Sequence, residues 1–384
     1  MFLRTQNIKL SPIKQMELLA SKIPDVVSLA QGIPSFDTPE IIKKAALKAL
    51  KRGVVAKYSL TCGLPELRET IEQKLAESGM YYNFEKEIIV TCGSIEAITA
   101  SLISIINNKK DEVVLFSPGY ASYAEAVKVA GGKPVFTALN EQDGWRIDFK
   151  NLAKKINIRT AAIIICNPNN PTGTIFAQDD LLKITEMAWK RKIFIICDEV
   201  YKDFIYDEPY KFFSLAQIPE LRKIVIRVFS LSKAYAMTGW RIGFVHSDEQ
   251  NISEIVKVHD SLVTCSPVIS QYAAIGALDF ADREVEKFRQ EYRLRRDLIC
   301  QHLDELSHFF SYQKPNSSYF VFPKILRRKD SWRFALDLLE EAQVAVVPGL
   351  AFGPSGEGHI RLSFGRSEKD INEAMRRIKQ YFNE

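Results

Sequence analysis

Side chains that could take part in catalysis or binding follow five short apolar runs in the middle of the chain, each at the point where a run ends. The runs cover residues 87–92, 112–116, 161–166, 192–197 and 223–229. The segments after them contain, in order, Gly93-Ser94, Tyr120, Asn170, Asp198 with Tyr201, and Ser230, Ser232 and Lys233. In an open parallel sheet, ligands bind beyond the carboxyl ends of the strands. These groups are therefore predicted to form one site.

Some of these residues are suited to hold a phosphate group. Gly93-Ser94 opens a predicted helix, whose free amide groups and dipole favour an anion. Ser230 and Ser232 add hydroxyls, and Arg241, eight residues after Lys233, adds a guanidinium.

The other residues are suited to an aromatic ring with a basic nitrogen. Asp198 follows five apolar residues, so it is expected to be buried and to need a cationic partner. Asn170 and Tyr201 can hydrogen-bond a phenolic oxygen, and the ring of Tyr120 can stack on the ligand. Together with the amine of Lys233, this chemistry matches pyridoxal 5'-phosphate bound as a Schiff base.

Three segments resemble the signature segments of fold-type I pyridoxal-phosphate aminotransferases of the aspartate/aromatic group. They are NPNNPTG (167–173), DEVY (198–201) and SLSKAYAMTGWRIGF (230–244). The similarity covers essentially the whole chain, from GIPSFDTPE (32–40) to VPGLAFGPSGEGHIRLSF (347–364), and it is closest to the prokaryotic subgroup.

The resemblance implies a role for each position around the cofactor. Lys233 is expected to form the Schiff base and later to move the substrate's proton. Asp198 is expected to pair with the ring nitrogen, with Tyr120 stacked on the ring. Asn170 and Tyr201 are expected to bond its phenolic oxygen. The residues expected to hold the phosphate are Gly93, Ser94, Ile95 (through its backbone), Ser230, Ser232 and Arg241.

The resemblance also implies a substrate subsite and a partner. Arg361 is expected to bind the substrate α-carboxylate with help from Asn170 and the backbone of Gly32. Tyr58 is expected to reach the phosphate of a neighbouring subunit, which implies a homodimer. Ser317-Ser318-Tyr319 stands where the family commonly has Gly-Ala-Phe, so a changed substrate pocket is expected there. No second arginine for a distal carboxylate is recognisable, so the amino donor and the oxo-acid acceptor stay open.

Several assignments have a structural alternative at this stage. Asp198 could cap a helix at the end of a strand, and Arg361 could form a surface ion pair. Asn170 could serve only the turn chemistry of its segment. Tyr58 and Tyr120 could be packed aromatic residues.

Composition and charge exclude several classes of protein. The 384 residues are 46% apolar and 26% charged, values of an ordinary globular enzyme rather than a disordered chain. The net charge of +5 comes from scattered lysines, which gives no support for a nucleic-acid partner. No apolar run approaches about 20 residues, and the first residues lack a secretory signal, so we expect no membrane partner and a cytoplasmic location. The spacing of the cysteines and histidines predicts no metal site.

The apolar runs alternate with helical periods, which predicts an α/β fold. We expect a large domain whose mostly parallel sheet, of the seven-stranded type, is covered by helices. Residues 44–285 are predicted to form this cofactor-binding domain, and residues 1–43 and 286–384 a smaller α+β domain. A helix is predicted after Thr38, its expected N-cap, ending at Gly53. A long helix over 285–306 and strands within 318–323 and 359–364 are predicted for the small domain.

These observations predict an aminotransferase. It would move an amino group from an L-amino acid (aspartate, aromatic or similar) to a 2-oxo acid such as 2-oxoglutarate, in two half-reactions. A carbon–sulfur β-lyase on the same fold would share all the cofactor residues. A non-catalytic, cofactor-sensing regulatory module is the alternative of another class. Such regulators usually carry a DNA-binding helix-turn-helix, for which there is little room before residue 32.

Overall fold

The structure is a computed structural model that describes residues 6, 8–207 and 209–383. Its strands are β1 (Val27–Ser28), β2 (Ile88–Thr91), β3 (Glu112–Ser117), β4 (Lys133–Asn140), β5 (Arg146–Ile147), β6 (Thr160–Cys166), β7 (Phe194–Asp198), β8 (Val225–Ser230), β9 (Gly243–His246), β10 (Phe310–Ser311), β11 (Phe320–Val321), β12 (Lys324–Ile325), β13 (Val344–Ala345), β14 (Val347–Pro348) and β15 (Ile360–Ser363). Its helices are α1 (Pro12–Ala20), α2 (Glu40–Lys51), α3 (Pro65–Glu77), α4 (Ser94–Ile105), α5 (Ser122–Val129), α6 (Phe149–Lys155), α7 (Gln178–Trp189), α8 (Leu231–Ala234), α9 (Glu249–Val263), α10 (Val268–Phe280), α11 (Asp282–Glu305), α12 (Ser331–Glu340) and α13 (Glu368–Asn383).

The central feature is an eight-stranded sheet in the order β2-β9-β8-β7-β6-β3-β4-β5. Strands β4, β3, β6, β7 and β8 are parallel, and β9 pairs antiparallel with both β8 and β2. Strand β2 therefore runs in the same direction as β8. The carboxyl ends of all five strands predicted from the sequence consequently lie along one edge of the sheet.

The predicted α/β class and mostly parallel sheet are confirmed. Seven strands have four or more residues, and the eighth, β5, has two. The five predicted strands agree with the observed ones to within two residues at each end. Strands β2, β3 and β8 are buried at every position, because helices cover both faces of the sheet. That burial explains the nearly continuous apolar runs.

Three strands of the sheet were not predicted from the sequence. Strand β4 has only two buried positions among its eight residues, so it lacks a continuous apolar run. Strands β5 and β9 are only two and four residues long. Short or half-buried strands give little periodic signal in a sequence.

The last third of the chain is a second layer of helices and small sheets. The predicted long helix is confirmed as α11, and the two predicted strands contain β11 and β15. Strands β11, β15 and β14 form one antiparallel sheet, and β1 pairs with β13. The N-terminal segment thus joins the C-terminal layer. The domain bounds remain a prediction, and α11 runs across residue 285.

The start of α2 corrects one prediction. Thr38 is not the N-cap, because Pro39 occupies that position and the helix begins at Glu40. The Thr38 hydroxyl instead donates to the carbonyl of Ala236, at 2.7 Å, just after the short helix that contains Lys233. Gly53 does end the helical segment, with a left-handed φ of 72°. Within the described residues, no helix has the length and apolar character needed to cross a membrane.

Candidate functional site

A cleft of about 260 Å³ lies at the carboxyl edge of the large sheet. The predicted site residues that line it are Gly32, Ser94, Tyr120, Asn170, Asp198, Tyr201, Lys233 and Arg361. They come from α4, β7, α8, β15 and the loops beside them. The structure therefore brings together, in one cleft, residues that are up to about 330 positions apart in the chain.

Lys233 lies in the short helix α8, directly after β8. Its Nζ donates to the carbonyl oxygen of Gly32 at 2.7 Å, and this oxygen also accepts from the hydroxyl of Tyr319 at 3.0 Å. Removal of the side chain from water lowers the pKa of Lys233 to about 8, and the positive charge of Arg361 contributes to this lowering. The amine can therefore lose its proton close to neutral pH.

Asp198 is the last residue of β7 and is almost fully buried. Its Oδ2 accepts a hydrogen bond from the hydroxyl of Tyr123 at 2.7 Å, whereas its Oδ1 has no partner among the described residues. Burial raises the pKa of Asp198 to about 6, although the bond from Tyr123 opposes this effect. A buried carboxylate oxygen without a partner is costly, so the site is built for a further donor at this point.

Arg361, on β15, is 1% exposed and has no carboxylate partner among the described residues. One terminal nitrogen donates to Asn170 Oδ1 at 3.2 Å, and the guanidinium lies 4.2 Å from the centre of the Phe320 ring. Asn170 Nδ2 in turn donates to the Tyr201 hydroxyl at 3.4 Å. Burial lowers the pKa of Arg361 to about 10. A buried guanidinium without an anion is the chemistry of a carboxylate-binding site.

The residues predicted to hold a phosphate lie at the adjacent ends of β2, β8 and β9. Gly93 adopts a left-handed φ of 81° directly before α4, and a Cβ at this position would lie 2.7 Å from Arg241 Nη2. Arg241 Nη2 donates to the carbonyl of Cys92 at 3.1 Å. Ser230 Oγ donates to Ser232 Oγ at 2.8 Å. Hydroxyls, a guanidinium and the first amides of α4 are thus close together, and only glycine fits at position 93.

Six predicted residues do not line the cleft. Four of them, Gly93, Ser230, Ser232 and Arg241, lie at the strand ends described above, and the other two are Ile95 and Tyr58. The side chain of Ile95, in the first turn of α4, packs against the hydrophobic core, so only its backbone is available to a ligand. Tyr58 lies between α2 and α3 and its side chain is 84% exposed, so it is not a packed aromatic residue of this chain. The expected change at Ser317-Ser318-Tyr319 lies behind the cleft, since none of the three lines it. Tyr319 reaches the cleft through its hydrogen bond to the Gly32 carbonyl and through ring contacts with Tyr201 and Phe320, which line the cleft.

Several residues of the site were not predicted from the sequence. Tyr123 bonds Asp198, and its only sequence signal was its position three residues after Tyr120 at the start of a helix. Ile13, Lys14 and Glu17 of α1 also line the cleft. No motif marked this N-terminal helix as part of a site.

Comparison with known proteins agrees with this geometry. The family described as aminotransferase class I and II matches residues 24–378. The chain belongs to this family. As an aminotransferase, it is an enzyme of the class that the sequence motifs predicted, and the resemblance carried by those motifs is confirmed.

Similar aminotransferases align over nearly their whole length. The chain is 38% identical to the aspartate aminotransferase of Pyrococcus abyssi, covering 99% of this chain and 98% of the relative. It is 36% identical to aromatic-amino-acid aminotransferase 2 of Thermococcus litoralis, with the same coverage. The solved structure of aspartate aminotransferase from Thermus thermophilus with maleate is 32% identical and has a TM-score of 0.93, covering 99% of each chain.

The residues of this aminotransferase's cleft and of the adjacent strand ends fit pyridoxal phosphate. Asp198 Oδ1 lacks the donor that a protonated ring nitrogen would supply. Lys233 offers an amine of lowered pKa, and the close packing of Arg241 on Gly93 forms a cradle for a phosphate. These features match the ring nitrogen, the aldehyde and the phosphate of the same cofactor, respectively.

Proposed function

We propose that this aminotransferase uses pyridoxal 5'-phosphate to move an amino group from an L-amino acid to a 2-oxo acid. The donor would be aspartate, an aromatic amino acid or a similar compound, and the acceptor a 2-oxo acid such as 2-oxoglutarate. One observation carries the proposal. Within the described part of the chain, the same cleft contains an amine of lowered pKa on Lys233, an unpartnered buried carboxylate oxygen on Asp198 and a guanidinium without an anion on Arg361.

The polar residues of the cleft would bind and tune the cofactor. When bound, pyridoxal phosphate supplies an electron sink for the negative charge that develops on the substrate Cα. Asp198 would hold a proton at the ring nitrogen through its free Oδ1, while Tyr123 keeps the carboxylate oriented. Asn170 and Tyr201 would bond the phenolic oxygen, and Tyr120, which lines the cleft, would stack on the ring.

The phosphate would be bound where three strand ends meet. Gly93, Ser94 and Ile95 would contribute backbone amides at the start of α4, where the helix dipole favours an anion. The hydroxyls of Ser230 and Ser232 and the guanidinium of Arg241 would complete the site.

Lys233 would perform two tasks through the same atom. Its Nζ would hold the cofactor covalently and, as a free amine, would move a proton at the substrate Cα. A pKa near 8 suits both tasks, because a neutral amine is required and general acid–base catalysis is most efficient near the working pH. Such a positioned base contributes typically about 10²–10⁴-fold to the rate.

Arg361 would orient every substrate by its α-carboxylate. Asn170 and the backbone of Gly32 lie beside it and would share this task. Because the amino acid and the 2-oxo acid both have this carboxylate, the same residues would serve both half-reactions in turn. The fork geometry of a guanidinium fixes the direction of the substrate as well as binding it.

We further propose a homodimer in which Tyr58 serves the partner's cofactor. The support is the 84% exposure of this aromatic side chain, together with the exposed side chains of Leu47, Leu50 and Leu60 nearby in sequence. Exposed apolar clusters of this kind mark interfaces. A cytoplasmic location is part of the same proposal.

A panel of amino acids tested against several 2-oxo acids examines the proposal. We expect stoichiometric exchange, with one amino acid formed for each one consumed, and no exchange by Lys233→Ala. Formation of pyruvate and ammonia without exchange would instead identify the carbon–sulfur β-lyase. The control is the wild-type chain without added pyridoxal phosphate, which should be inactive after the cofactor has been removed.

A further inference from the structure

The first helix forms one wall of the active-site cleft. Ile13, Lys14 and Glu17 of α1 line the cavity that also contains Lys233 and Arg361. This helix is a separate element from the strand ends that contribute the cofactor residues. Its side chains therefore line the cleft without belonging to the strand ends that would hold the cofactor.

Three cationic side chains line the cleft among the residues that the structure describes, and two of them already have a task. Lys233 donates to Gly32, and Arg361 donates to Asn170 and to the carbonyl of Ala30. The third cation is Lys14. A dicarboxylic substrate has a second carboxylate that needs a cationic partner once it leaves water. Of these three side chains, Lys14 is the one left to provide it.

Lys14 has an anionic partner of its own on the same helix. Its Nζ lies 2.7 Å from Glu17 Oε2, three residues further on, and the Lys14 side chain is 63% exposed. An exposed pair of this kind adds little to stability, so the ammonium can change partners at small cost. The charge of Lys14 also reaches the site, because it lowers the pKa of Lys233 in addition to burial and Arg361.

We propose that Lys14 binds the side-chain carboxylate of dicarboxylic substrates and that Glu17 holds its ammonium whenever the substrate lacks that group. This inference rests on the proposed function and names its substrate class. A dicarboxylate binds the Lys14 ammonium in place of Glu17. An aromatic side chain instead lies beside the intact Lys14–Glu17 ion pair, which has no net charge. One cleft can then accept both kinds of side chain, as an enzyme with two half-reactions at one site requires.

Equilibrium binding to the holoenzyme tests this without turnover. The probes are maleate, a dicarboxylate without an amino group, and 3-phenylpropionate, an aromatic monocarboxylate, both titrated by calorimetry. Lys14→Met should weaken maleate binding by roughly fivefold, because an ion pair of an exposed ammonium with the carboxylate is lost, and should change 3-phenylpropionate binding by less than about twofold. Lys14→Arg should retain most of the maleate affinity. Glu17→Gln should tighten maleate by a few-fold, because the competing carboxylate is removed.

The matched control is Lys74→Met. Lys74 forms the same kind of i,i+3 pair with Glu77, at 3.1 Å on α3, but does not line this cleft. Lys74→Met should leave the affinity for both probes unchanged. Equal weakening of both probes by Lys14→Met, or of neither, would overturn the assignment. A wild-type enzyme that transaminates no amino acid would refute the proposed function instead, and this outcome is separate from the binding ratio.

Discussion

Replacement of Lys233 by methionine should stabilise the cofactor-free protein in a pH-dependent way. The pKa of Lys233 is about 8 in the folded chain, because burial opposes its charge, whereas an unfolded lysine has a pKa near 10.5. Below pH 8 both states are protonated and folding carries the full cost of desolvating an ammonium. Between the two values the unfolded state binds more protons, so the stability of the wild type rises with pH. Methionine has a similar length and no charge, so it avoids this cost.

The size of the effect follows from the pKa difference. A pKa difference of one unit corresponds to about 1.4 kcal/mol of stability. The assay covers about 1.5 units of the window between the folded and unfolded pKa values of Lys233, from pH 8 to 9.5. The stability advantage of Lys233→Met over the wild type should therefore shrink by about 2 kcal/mol between pH 7.5 and 9.5. Lys233→Met also loses the hydrogen bond to Gly32. This loss changes the size of the stability difference at every pH but not its dependence on pH, because the Gly32 oxygen keeps its bond from Tyr319.

Urea unfolding at pH 7.5, 8.5 and 9.5, at one protein concentration, measures this difference. Lys150→Met, at an exposed position on α6, is the control and should follow the wild type at every pH. A constant difference between Lys233→Met and the wild type across the window would show that the amine is not desolvated in the folded chain. Lys233 would then lack the lowered pKa that makes its amine reactive near neutral pH.

Three other experiments test the remaining roles. Asp198→Asn should weaken cofactor binding and slow the step at the substrate Cα in single-turnover measurements, since loss of one partner of a buried pair costs about 3–5 kcal/mol; unchanged rates would remove Asp198 from this role. Arg361→Lys should raise the KM of every amino acid and oxo acid alike, because a point charge cannot replace the guanidinium fork; a loss limited to dicarboxylic substrates would place it at the other end of the pocket. Mixed refolding of Lys233→Ala chains with Tyr58→Ala chains should restore activity at limiting cofactor, whereas no recovery would mean that Tyr58 serves its own chain.

The central strands and the residues at their ends were predictable from the sequence. A strand buried on both faces is apolar at most positions, so β2, β3 and β8 are visible as nearly continuous apolar runs. The buried Arg227 in β8 is an exception, and it pairs with Glu199. Because parallel strands share a direction, the polar residue after each run must lie at the same edge. Asp198 and Lys233 could therefore be assigned to one site from the sequence alone.

Contacts between distant elements were decided only by the tertiary structure. The hydroxyl of Thr38 bonds Ala236 rather than capping α2, and Tyr123 on α5 orients Asp198 at the end of β7. Lys14 enters the cleft because α1 packs beside it. Strand and helix periods report which face of one element is buried, but not which side chains of another element it meets. The partners of a polar side chain depend on how elements far apart in the chain pack together, and that information is not local to any segment of the sequence.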